Sequence, residues 1–128
     1  MRLVEPRPLD RGSLWLLTIA PTLWALHFLG CYVTAAVWCA KFAAAGGSVA
    51  GVRPAIAWYT VTALAGIAFV GWEGFRRHQY GTEATTHDLD TPEDRHRFLG
   101  FATLMLAGLS AVGVLYAALA ATFFETCR

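Results

Sequence analysis

"LWLLTIAPTLWALHFLGCYVTAAVWCA", residues 14–40, contains no Lys, Arg, Asp or Glu, yet it places a histidine, His27, near its middle. A soluble core helix shows a polar face on every turn, and this run lacks one over most of its length. Rising ~1.5 Å per residue, it is long enough as a helix to cross a hydrocarbon core of ~30 Å. Two more uncharged runs follow, Ile56–Trp72 and Phe98–Phe124. Each has about 17 residues or more, the length a spanning helix needs.

Composition points the same way. Of 128 residues, 56% are hydrophobic and 15% charged, with a mean hydropathy of +0.47. Soluble domains are seldom so apolar. Lipid offers backbone polar groups no water, so only helices and closed barrels cross it. The many short alternating strands of a barrel are absent. The sequence therefore predicts an all-α integral membrane protein with three transmembrane helices. Its expected parts are a cytoplasmic lead-in (1–12), helix 1 (13–45), an external loop (46–53), helix 2 (54–76), a cytoplasmic loop (77–90), helix 3 (91–125) and an external tail (126–128).

Charge placement orients these parts. Arg2, Arg7, Arg11, Arg76, Arg77, Arg95 and Arg97 fall on one side, and Lys41, Arg53 and Arg128 on the other. The positive-inside rule then places the N-terminus in the cytoplasm and the C-terminus outside. The formal net charge of +1 singles out no charged partner, and no nucleic acid is expected. Three arginines before an apolar run imitate a secretory signal. His27 interrupts that run, however, and Phe28 replaces the aliphatic residue that would open a lipoprotein cleavage site at Phe28-Leu29-Gly30-Cys31, so the segment is expected to stay as a span.

Local signals refine the boundaries. Ser13 is a candidate N-cap. Pro21 either kinks helix 1 one turn before Trp24 and His27, or stands in the first turn of a span that begins there. "AAAGGSVAG" (43–51) is a small-residue return, and Pro54 suits the first turn of helix 2. Trp58, Tyr59 and Trp72 are placed as interfacial anchors. Glu73 and Arg77 form an i, i+4 rim pair. Thr91-Pro92-Glu93-Asp94 is a helix start. His78, His87 and His96 are irregularly spaced with no cysteine nearby and read as surface residues, so no metal is expected there.

Small residues mark helix packing. Gly113, Ala117 and Ala121 recur every four residues on helix 3, as do Ala107 and Ala111, while Ala65, Gly66, Ala68 and Gly71 thin helix 2. Such spacing lets backbones approach closely, within one chain or between subunits.

On a helix advancing ~100° per residue, Trp24, His27, Cys31, Ala35, Trp38 and Phe42 share an arc of roughly 80°. The Trp24, His27, Cys31 and Trp38 stripe is expected to face a partner or a cofactor. An intramembrane histidine needs an answering group. Three remain open: a Thr, Tyr or carbonyl on a neighbouring helix, a partner subunit, or haem held by His27. No second histidine lies in any span, so a closed metal site within this chain is not expected.

Cys39 and Cys127 fall near the same outer surface in the charge-derived topology, where disulfides persist. A Cys39–Cys127 bridge would clip helix 1 to helix 3, leaving Cys31 reduced at mid-depth. No C-x-x-C, Walker, Gly-x-Ser-x-Gly or His-Glu-x-x-His pattern occurs, so no enzymatic activity is expected of the chain by itself.

The combination "PTLWALHFLGCY", Cys39, the "RHRFLG" entry to the last helix and Cys127 resembles small bacterial membrane proteins encoded beside haem–copper (cytochrome c) oxidase components. The resemblance covers the first and last helices. It implies a non-catalytic accessory subunit or assembly partner of a respiratory oxidase, in the bacterial inner membrane, with lipid and other membrane subunits as partners. It supplies no catalytic residues, and no cofactor is expected on this chain alone. Two alternatives stand beside it: a small haem- or quinone-handling membrane protein using His27, and a small oligomeric transporter, which would lack the usual membrane-central carboxylate.

Overall fold

Three long helices carry the chain in a computed structural model that describes residues 9–79 and 92–127. Helix α1 spans Leu9–Lys41, α2 Arg53–Gln79 and α3 Pro92–Phe123, with a 3₁₀ turn at Val49–Val52. The segments Leu14–Lys41, Val49–Arg76 and Arg97–Phe123 are each long and apolar enough to cross a membrane. The fold is all-α, as the uncharged runs require.

Boundaries differ from the sequence expectation where other bonds compete. Helix α1 begins at Leu9, so Ser13 is an internal residue and not a cap. The helix continues through Pro21, and the alternative of a span starting at that proline is not what the backbone does. At the other end α1 stops at Lys41, four residues before the expected end at 45. Ala43, Ala44 and Ala45 would favour continuing. The backbone beyond them is instead engaged by the C-terminal tail: Gly46 N–H donates to the Cys127 carbonyl (3.2 Å), Cys127 N–H to Gly47 (2.9 Å) and Val49 N–H to Glu125 (3.1 Å). Gly46 makes the turn at φ 83°, in the left-handed region that glycine occupies without strain. The same pairing ends α3 at Phe123 and not at 125. Helix α2 starts at Arg53 and runs to Gln79, past the expected 76. Thr91 lies outside the described residues.

The helices meet on their smallest residues. A Cβ on Gly71 would stand 3.4 Å from the Ala107 Cβ, and one on Gly74 only 3.1 Å from the Gly100 carbonyl oxygen. This α2–α3 seam continues through Ile67 and Val70 on α2 and Ala107 and Val114 on α3, all buried. Ala20 brings α1 into the same core, and Leu23 fills the space above Gly66.

The outside of the bundle is as apolar as its core. Phe69 and Leu109 are each 70% exposed and Tyr116 72%. In water such surfaces would be an aggregation liability, whereas in lipid they face their own solvent. Near the end of α2, Glu73 pairs with Arg76 at 3.6 Å; the expected Glu73–Arg77 pair falls on a side chain outside those described.

Opposite that rim, a disulfide joins Cys39 to Cys127 with Cα atoms 5.6 Å apart, closing a sequence separation of 88 residues. Trp38 Nε1 donates to the Ser48 carbonyl (3.3 Å), and Ser48 Oγ caps the 3₁₀ turn by accepting from Ala50 N–H (3.1 Å). Covalent bond, tail pairing and indole together fasten α1 and the α1–α2 loop to the end of α3. Cys127→Ser should therefore lower unfolding stability in detergent by about 2–4 kcal/mol. Non-reducing peptide mapping of the native protein should recover the Cys39–Cys127 pair with Cys31 alkylatable only after denaturation.

Candidate functional site

His27 is the polar centre of the bundle. It lies midway along α1, 4% exposed. Its Nε2 is 3.0 Å from Thr60 Oγ1 on α2. Thr60 Oγ1 in turn donates to the Ile56 carbonyl at 2.7 Å, which uses its single hydrogen. With that hydrogen committed to Ile56, a neutral His27 ring donates from Nε2 to Thr60 and keeps Nδ1 unprotonated. Nδ1 is enclosed and has no hydrogen-bond partner among the described residues. Cys31, one turn further along α1, places Sγ 3.5 Å from Nε2. It is a buried, free thiol.

Of the three answers left open for His27, the structure supplies the first, a threonine on a neighbouring helix, and the other stripe residues also touch the chain's own elements. His27 and Cys31 are buried against α2. The Trp24 indole lies against Gly113 of α3, where an added Cβ would fall 2.5 Å from Trp24 Nε1. Trp38 covers Gly51 closely enough to leave no room for a Cβ, and its ring stacks on Phe42 at 5.5 Å. The physical reason is economy of polar groups: an imidazole at mid-membrane depth is best answered by the nearest hydroxyl within the fold. Of the three small residues on α3, Gly113 receives Trp24, while Ala117 and Ala121 line a groove beside α1.

Thr60 is the partner that sequence reading left unnamed. A signal for it exists. Ile56, Thr60, Ala63, Ile67 and Val70 recur at helical spacing, and all but half-buried Thr60 are buried, so the hydroxyl belongs to the inward face. Thr62 is exposed and bonds only to carbonyls of its own helix. A second α1–α2 link, Thr34 Oγ1 donating to Tyr59 Oη at 3.4 Å, is longer and exposed.

Among the described residues, no group of three or more His, Cys, Asp or Glu side chains is placed to hold a metal ion. His87 lies outside the described residues, and the side chains of His78 and His96 are not described. Fold and site together define a three-pass, all-helical membrane protein with, among the described residues, one sequestered imidazole and one disulfide-fastened end. No family model, curated protein or solved structure matches the chain.

The His27–Thr60 contact makes a specific energetic prediction. Thr60→Val should destabilise the fold by about 1–3 kcal/mol, because it strips the buried Nε2–H of its acceptor. His27→Leu combined with Thr60→Val should cost clearly less than the sum of the two single changes, since both polar groups are then gone. Thermal unfolding in micelles measures the cycle, and strict additivity would mean that the contact does not form.

Proposed function

We propose that the chain is a non-catalytic subunit or assembly partner of a respiratory membrane complex, with a haem–copper cytochrome c oxidase as the favoured host. The observation that carries this reading is that the residues behind the resemblance are also the ones that hold the fold together. His27 ties α1 to α2, Cys39 ties α1 to Cys127 beyond α3, and the "RHRFLG" stretch leads into the buried Gly100 that receives Gly74. Such a body is a fixed apolar module whose large side chains face outward. Modules of this kind serve by packing beside other membrane subunits.

The disulfide supports the orientation derived from the arginines, because disulfides persist on the oxidising side of a bacterial inner membrane. In this reading, Cys39 and Cys127 lie outside and the rim of Glu73 and Arg76 lies inside.

A second reading rests on one atom. His27 Nδ1 has no hydrogen-bond partner among the described residues, so it is the atom left for a haem iron in this alternative, and because it is enclosed the helices around it would have to open to admit the macrocycle.

One purification separates the two. Tagged protein extracted from native membranes in mild detergent should bring down oxidase or other respiratory subunits, and its isolated chain should show no Soret absorption. Recovery of the chain alone would count against the subunit reading. A Soret band lost in His27→Ala would establish the haem alternative.

A further inference from the structure

A groove of about 450 Å³ runs between α1 and the last turns of α3. Ala35 and Ala36 on one side and Ala117 and Ala121 on the other leave it as a smooth apolar trough. Cys31 reaches it from one direction, and the Cys39–Cys127 disulfide lines it at the fastened end. From Phe28 to Cys39 the α1 wall rises roughly 16 Å at ~1.5 Å per residue. That is about half of a ~30 Å hydrocarbon core, the depth of one leaflet.

The rim of the groove is charged. Arg53, the first residue of α2, is exposed and lines the groove at the end of a span. Its guanidinium donates one long bond, 3.4 Å, to the Thr122 carbonyl and makes no ion pair among the described residues. Most of its five N–H donors are uncommitted, in a fork suited to phosphate oxygens. Lys41, also exposed, adds a second cation at this end. Glu125 is the one described carboxylate there, exposed on the tail and not bridged to Arg53.

We propose that this groove binds one anionic phospholipid, one of its two acyl chains lying along the alanine trough and its phosphate held by Arg53. Trough length and charged rim match the two halves of that molecule: a chain that reaches mid-membrane and a headgroup at the interface. Cation and anion meet at headgroup level, where an arginine favours an anionic lipid over a zwitterionic one. The bound chain would fill the space between α1 and α3 that small residues leave, making the lipid a packing element of the fastened end. This inference does not rest on the identity of any partner subunit.

The test is native mass spectrometry of the purified full chain in detergent, after mixing with equal amounts of phosphatidylglycerol and phosphatidylcholine of identical acyl composition. One retained lipid is expected, with phosphatidylglycerol preferred about fivefold, the discrimination one interfacial arginine provides. Arg53→Gln should bring the two lipids to parity, and Arg53→Lys should keep the preference. Ala117→Trp, which fills the trough and leaves Arg53 in place, should abolish retention of both. Intact mass confirms the Cys39–Cys127 bond in each variant. Parity in the unmodified protein, an undiminished preference in Arg53→Gln, or full retention in Ala117→Trp would overturn the proposal. So would loss of the preference on adding inorganic phosphate, which would reveal a site for the free anion.

Discussion

Hydrocarbon offers a polar group no substitute partner, and that single constraint organises this protein. Backbone amides must bond within their own segment, hence helices. An imidazole placed in the middle of one helix must be answered from another, hence the rotation of α1 that points His27 at Thr60. Once that contact is made, the rest of the α1 stripe follows by geometry. Cys31 falls beside the ring, Trp24 against Gly113 and Trp38 over Gly51. The polar middle of the stripe, His27 and Cys31, is thus buried, while Trp24 and Phe42 stay exposed at its edges.

The two ends of the bundle are held in different ways. At one, α2 and α3 come together on Gly74, Gly100 and Thr103, where the absence of a side chain permits backbone contact. At the other, the disulfide ties α1 to the tail after α3, three backbone hydrogen bonds tie the loop after α1 to that tail, and the Trp38 indole ties α1 to the loop. Between them lies the polar node. Thin helices with so many alanines and glycines bury little apolar area, so a covalent clip at one end and a specific hydrogen bond at the centre supply what packing alone does not.

Much of this was legible in the sequence because lipid makes the code coarse. Three charge-free runs give three spans, and the topology they imply brings Cys39 and Cys127 to one end. The direction of the His27 stripe was not legible. Helical periodicity groups residues on a face, but it does not say whether that face meets another helix of the same chain or a neighbour. Thr60 was hidden for the same reason, as one of several threonines in an apolar run until the buried residues around it defined an inward face. The early end of α1 is a case of tertiary bonds overriding propensity, since the tail claims backbone groups that three alanines would otherwise have kept helical. Gly74 and Gly100 escaped notice because they do not follow the four-residue repeat that flagged Gly113, Ala117 and Ala121.

Subunit, haem and lipid readings all presuppose that the three helices cross a bilayer with the fastened end on one side and the Glu73–Arg76 rim on the other. The most direct measurement uses the fact that Lys41 is the sole lysine of the chain and is exposed. A membrane-impermeant amine reagent applied to right-side-out and inside-out vesicles, with peptide mapping, reports which face holds Lys41 and which holds the amine introduced by Arg76→Lys. The account predicts labelling from opposite faces. Labelling of both positions from the same face would contradict it.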